Sequence, residues 1–211
     1  MFKATAMPQI VGDTDFGLED PVKNRRMLKE LLSRKSLTEV TAVTAHPGTK
    51  IYTTESGEHG RVFVHDLERD RVVYYVQFVK KKILGRPATR QIKLWRSRTS
   101  SGLVQGITRA VFFQHLLPIQ GALVSDGQQT IRGKEFWIQR IDEAVRAGYH
   151  VYVVDQNSKK YQKMKTAAQV ERIDQDDTVW GLHGKYQARV VVISDHEWPQ
   201  QGQTTGLIIE V

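Results

Sequence analysis

Between Lys50 and Ser97 apolar residues recur at every second position, and beyond Leu103 they recur three or four apart. This change of period constrains the chain more than any other feature, because a strand pattern cannot settle as a helix or the reverse. The runs KIYTTE, RVFVHDL and RVVYYVQFVKKK are rich in Val, Tyr and Phe and are separated by SGEHG and ERD, which is turn composition. They are expected to form an antiparallel meander. GRPAT is expected to supply the next turn and RQIKLWRS a further strand, with Ile92 and Leu94 on one face and Lys93 and Trp95 on the other.

Helical spacing then takes over. Leu103, Ile107, Ala110, Val111, Gln114 and Leu117 mark the apolar side of a helix that Pro118 should stop. IQGALVSD and HVYVVD are almost continuously apolar and read as strands buried on both faces. GKEFWIQRIDEAVRAG lies between them and reads as a helix, with Phe136, Trp137, Ile141, Ala144 and Val145 on one side and Gly148 at its end. The succession implies right-handed crossovers and a parallel βαβ section within an otherwise antiparallel sheet. NSKKYQKMKTAAQVERIDQDD reads as a polar stretch with a loose helix, TVWGLHG and QARVVVISD as a final strand pair, and WPQQGQTTGLIIEV as a loop ending in a short apolar strand.

Ahead of the meander, residues 1–19 read as an extended arm, and Asp20-Pro21 as an N-cap with proline at the first helical position. Val22, Met27, Leu28, Leu31 and Leu32 form the apolar stripe of that helix, among basic residues that suit a solvated face better than a nucleic-acid face. The expected organisation is an arm and helix over 1–35 and an α/β (α+β) domain over 36–211.

The chain has 31 Lys+Arg against 23 Asp+Glu, a formal excess of +8, and no cysteine. Disulfides, thiolate metal sites and a cysteine nucleophile are excluded, and the composition fits an intracellular protein. The N-terminus lacks the pattern of a leader and no apolar run approaches a membrane span, so a soluble protein is expected. The basic balance points to a polyanionic partner such as nucleic acid, CoA or an anionic surface. All of the excess is matched by one stretch, VKKKILGRPATRQIKLWRSRT, which holds Lys80, Lys81, Lys82, Arg86, Arg90, Lys93, Arg96 and Arg98 and no acidic residue. Alternation spreads these charges over two faces, but Lys80, Lys81, Lys82, Arg86 and Arg90 should gather at one hairpin end, with Lys93 on the strand beyond. There they could reach the phosphates of DNA or RNA without reading bases. Trp95 could stack on a base; core packing is the commoner fate of a strand aromatic.

A meander, a long helix after its last strand, then buried strand, helix and buried strand is also the element order of the GNAT acyltransferase fold. PIQGALVSDGQQTIRGKEFWIQRIDEAVRAGYHVYVVD, with Ser125-Asp126, Gln129-Thr130, Gly133, Trp137 and Val151-Tyr152, resembles GNAT-like proteins of tailed bacteriophages. The resemblance covers about residues 50–155. It implies a GNAT-like mixed sheet and, for active members, acetyl-CoA as cofactor and N-acetyl transfer; some relatives are described as antirestriction proteins. It also implies a place in the infected cell's cytoplasm or in the virion. The R/Q-x-x-G-x-G/A pattern expected to cradle the CoA pyrophosphate is not matched. Arg96, Arg98, Ser100, Ser101 and Gly102 occupy that place with different spacing. A nearby Tyr, Glu or Asp would manage the amine proton; the sequence does not single out which, and Tyr152 and Asp155 are examples of candidates.

The remaining motifs read blandly. Asp195-His196-Glu197 is the densest metal-capable triplet, yet adjacent residues rarely converge on one ion. Ser125-Asp126 lacks a surrounding G-x-S-x-G. Glu171, Asp174, Asp176 and Asp177 make an acidic knot, either a solvated loop or a contact for a partner. The expected function is a GNAT-like binding protein without turnover, its partner a nucleic acid or a protein assembly reached through the arm and the tail. The alternative is an acyl-CoA-dependent N-acetyltransferase.

Overall fold

The structure is a computed structural model; it describes residues 17–125, 131–175, 179 and 189–197. The chain is α+β and divides into two compact units, one of residues 15–81 and 89–120, the other of residues 82–88 and those from 121 onward, with 1–14.

In the first unit, helix α1 (Pro21–Leu32) starts as the sequence expects: Asp20 caps it by accepting from the Val22 and Lys23 N–H groups at 2.8 and 3.2 Å. Its inward side is Asn24, Leu28 and Leu31, an i, i+4, i+7 stripe. Val22 and Leu32, expected on the apolar face, are exposed. Strands β2 (Thr49–Ser56), β3 (His59–Asp66) and β4 (Arg71–Ile83) form the expected antiparallel meander. A short edge strand β1 (Thr38–Glu39) pairs with β2, and β5 (Arg86–Arg96) follows β4 in the order β1-β2-β3-β4-β5. The middle of β4 is buried at every position from Val72 to Val76, so both faces are covered there. Leu28 and Leu31 pack with Phe63, Val72, Tyr75 and Trp95 on one of them. Between Val64 and His65 the register slips by one, leaving Val73 as the extra residue of a bulge; its carbonyl instead accepts from the Ser97 N–H at 2.9 Å.

The β4–β5 turn is tighter than GRPAT implied. Leu84 and Gly85 alone form it, at φ 49° and 81°, and β5 already begins at Arg86. Two positive φ values define a hairpin turn whose twist matches its strands, and glycine meets the second without strain.

After β5 a 3-10 turn (Ser101–Val104) leads into α2 (Ile107–Ala110), a π-helical stretch (Val111–Leu116) and α3 (Leu117–Gln120). Pro118 does not stop the helix; Gly121, at φ 71°, follows its last turn. Pro118 has no N–H and its ring crowds the preceding turn, and the wider π spacing just upstream accommodates both. The buried side departs from the expected one already ahead of the π stretch, at Val104 and Thr108. Val104, Ile107, Val111, Phe112, His115 and Leu116 are buried, whereas Gln114, expected inward, is exposed.

The second unit holds β6 (Ala122–Val124), α4 (Ile131–Arg146), β7 (His150–Asp155), β8 (Lys160–Met164), α5 (Ala167–Gln175) and β9 (Arg189–Ser194). Trp137, Ile141 and Ala144 are fully buried along α4, with Phe136 and Val145 at its margins. The strand order is β6-β9-β7-β8. β6 and β7 therefore do not pair in parallel as the strand, helix, strand succession implied: β9 lies between them and is antiparallel to both. β9 is buried from Val190 to Ser194, which demands an interior place. A 16-residue helix, about 24 Å long, can return the chain across two strand spacings of about 4.8 Å each. β8, read from sequence as polar loop or helix, is a hairpin partner of β7. The other member of the expected final strand pair, most of the arm and the whole C-terminal tail lie outside the described residues. Among the described residues no helix is long and apolar enough to cross a membrane.

Candidate functional site

At the far end of β4 burial stops and three consecutive lysines are exposed. Lys80 is tied to Glu55 of β2, with Nζ 2.6 Å from Oε2 in a pair open to solvent on both sides. Lys81 and Lys82 have no carboxylate within ion-pair distance among the described residues. Ile83 next to them is buried with Ala88, Ala122, Val124 and Tyr152, and so anchors the strand end. Arg86 and Arg90 are half-buried and Lys93 is exposed. The eight basic residues thus divide into an exposed lysine run and separate, differently buried positions. Trp95 is buried against α1 and takes no part in a surface.

The β5–α2 loop already holds a carboxylate. Glu19 Oε1 accepts from the Arg98 N–H at 2.6 Å, and Oε2 lies 3.4 and 3.3 Å from the hydroxyls of Ser97 and Thr99. Arg71 braces the same loop by donating to Ser100 Oγ and, at 3.5 Å, to Thr99 Oγ1. Arg71 Nε in turn lies 3.6 Å from buried Asp66. Of the residues expected to hold an anion, the side chains of Arg96 and Arg98 are exposed, Ser100 is buried, and Ser101 and Gly102 are exposed in the 3-10 turn. The loop does bind an anionic group, and that group belongs to the chain. Glu19 has no sequence signature for this role, because the contact spans 79 positions.

The other candidates have partners within the fold. Ser125 is fully buried, with its N–H donating to the Val191 carbonyl at 2.9 Å and its Oγ accepting from the Val191 N–H at 3.0 Å, so it extends the β6–β9 pairing. Tyr152 is buried edge-to-face against Tyr161, with Lys163 Nζ 5.9 Å from its ring centre. Asp155 caps the β7–β8 turn by accepting from the Asn157 and Ser158 N–H groups, both at 3.0 Å. The triplet 195–197 splits: His196 Nδ1 is 2.5 Å from Asp195, while Glu197 bonds Lys163 at 3.0 Å. That bond raises the Lys163 pKa and lowers that of Glu197. Among the described residues no three metal-capable side chains converge. Asp126, Gln129, Thr130, Asp176 and Asp177 lie outside the described residues.

Sequence reasoning missed a cavity of about 430 Å³ in the first unit. Its wall runs from Ser36 to Ala42, takes in Thr53, Glu55 and Phe78, and closes with His115, Leu116, Ile119 and Gln120. Gln120 bridges two strands: its Nε2 donates to Glu55 at 3.3 Å and its Oε1 accepts from Thr89 at 2.9 Å. His115 is only 7% exposed. Burial pushes its pKa below the ordinary 6.5, with the Glu55 carboxylate opposing weakly, so the imidazole is neutral near pH 7.

Compared with protein-family models, with curated proteins and with solved structures, the chain finds no match in any of the three.

Proposed function

We propose that this chain is a GNAT-like binding protein of a tailed bacteriophage that grips a nucleic acid through its phosphates and does not turn over a substrate. The observation that carries the reading is the exposed end of β4, where Lys81 and Lys82 lack carboxylate partners among the described residues and Lys80 is held only by a solvated pair. Such a pair contributes little, so a phosphate can displace it. Lysines on a strand end reach phosphates as point charges and carry no base specificity. The GNAT likeness is supported by the succession of meander, long helical segment, β6, α4 and β7. The absence of turnover is supported by the loop between β5 and α2, whose residues do not match the R/Q-x-x-G-x-G/A spacing.

The test is anisotropy of a short labelled DNA duplex across a salt series. Affinity should fall steeply with salt, and Lys80/Lys81/Lys82→Ala should weaken binding uniformly across sequences and reduce the salt slope by about three. Unchanged binding by the triple variant removes the hairpin as the grip and directs attention to a protein assembly.

One observation favours the acyltransferase reading: the β5–α2 loop holds a carboxylate through a backbone N–H. If Glu19 fills an acyl-CoA phosphate site, Glu19→Gln should gain a thermal shift with acetyl-CoA that the wild-type protein lacks. Acetyl-CoA stabilisation of the wild-type protein itself would replace the binding reading.

A further inference from the structure

We infer that the cavity of the first unit is a binding site for a small molecule that carries a primary ammonium group on an apolar body, with His115 and Glu55 as its polar anchors. No lysine of the hairpin lines the cavity, although Lys80 of that hairpin pairs with Glu55 from outside it.

A volume of about 430 Å³ falls within the usual small-molecule range of roughly 300–1,000 Å³. Val40, Phe78, Leu116 and Ile119 supply an apolar wall, and Ile119 stands 62% exposed at it, where an apolar ligand would cover it. His115 is the telling group. It is buried on the wall, and among the described residues neither ring nitrogen has a hydrogen-bond partner. A neutral imidazole offers one donor and one acceptor, with which a ligand in the cavity could bond. His115 follows Ile107 and Val111 at i, i+4, i+8 on the buried side of the helix. It lies within the π-helical stretch Val111–Leu116, and such local widening recurs at functional sites.

Charge selects the class of ligand. The wall contains two carboxylates, Glu39 and Glu55, and no lysine or arginine. Their cationic partners, Lys50 at 3.0 Å and Lys80 at 2.6 Å, are not part of it. An anionic ligand would face both carboxylates and would need a protonated imidazole, which burial opposes. An ammonium group can donate to the acceptor nitrogen of His115 and to a Glu55 oxygen at once.

The test is NMR observation of the His115 imidazole in the full-length protein during titration with phenethylamine, with 2-phenylethanol and phenylacetate as shape-matched controls. The amine should give a saturable shift. The alcohol should bind at least about tenfold more weakly and the acid not at all. Glu55→Gln, a change at a part-exposed strand position that should leave the fold intact, should weaken the amine by about tenfold. His115→Phe should abolish amine binding, read from the resonances of Phe78, and should leave DNA binding unchanged, which separates this site from the hairpin. An amine that produces no saturable shift at millimolar concentration, or that binds no better than the alcohol or the acid, overturns the inference. An undiminished response in Glu55→Gln does the same for the role of that carboxylate.

Discussion

Two polar side chains are buried to nearly the same degree in the first unit, and they are treated in opposite ways. Asn24, 3% exposed under α1, has its amide fully engaged: Nδ2 donates to the carbonyls of Leu18 and Val72 at 2.7 and 2.9 Å, and Oδ1 accepts from the Val72 N–H at 2.8 Å. It acts as a substitute strand at the start of β4, satisfying backbone groups that a sheet neighbour would otherwise meet. His115, 7% exposed on the cavity wall, has no such bond among the described residues. Burial alone therefore does not separate framework from site. The difference lies in whether the polar atoms have partners within the fold, because atoms without one remain open to a ligand.

The contrast can be broken most directly at Asn24. Asn24→Ala deletes three hydrogen bonds and strands the Val72 N–H and two carbonyls, so it should cost roughly 2–4 kcal/mol in urea unfolding. A loss below about 1 kcal/mol would show that water replaces the amide and that the pairing is incidental.

A smaller effect is expected at Gly60, which sharpens the comparison from the cavity side. A Cβ there would lie 2.1 Å from the ring of Phe78, a residue that also lines the cavity. Gly60→Ala should cost about 1–3 kcal/mol by displacing that ring. It should also alter amine binding while leaving the Asn24 region intact; a fully stable variant would mean that Phe78 moves without resistance.

The smallest effect belongs to His115. His115→Phe removes an unpaired polar group at similar volume, so stability near pH 7 should change by no more than about 1 kcal/mol in either direction. The pH dependence carries the information. Because burial lowers the folded-state pKa of His115 below 6.5, the unfolded chain takes up a proton first as pH falls. Its contribution is complete above pH 6.5 and is lost as pH drops through the lowered folded value. Unfolding of the wild-type protein and the variant across that range should show the wild-type protein losing stability faster toward acid. Parallel curves would mean that the imidazole titrates as it does in water.

Most of the framework could be read from the chain because it is set by neighbours in sequence. The Asp20-Pro21 cap, the three alternating runs of the meander and the unbroken apolar runs of β6 and β7 each express a local preference that packing did not overrule. The misreadings share a cause. β8 is polar because its residues are only partly buried, so the apolar pattern that announces a strand is missing. The insertion of β9 between β6 and β7 depends on which apolar run most needs two covered faces, a competition among distant segments. The hairpin lysines were visible as a charge run, but their division into paired Lys80 and unpartnered Lys81 and Lys82 depends on Glu55, 25 residues earlier.

The sequence by itself determined the meander strands, the types of β6, α4 and β7, the start of α1 and the exposed basic strand end, since capping chemistry, hydrophobic period and charge act over a few residues. Only the tertiary structure decided that Glu19 would fill the β5–α2 loop and that His115, rather than Gln114, would face the cavity. The first depends on a contact across the chain and the second on which side of the helix packs inward, since Val104, Thr108 and His115 are buried there rather than Leu103, Ala110 and Gln114.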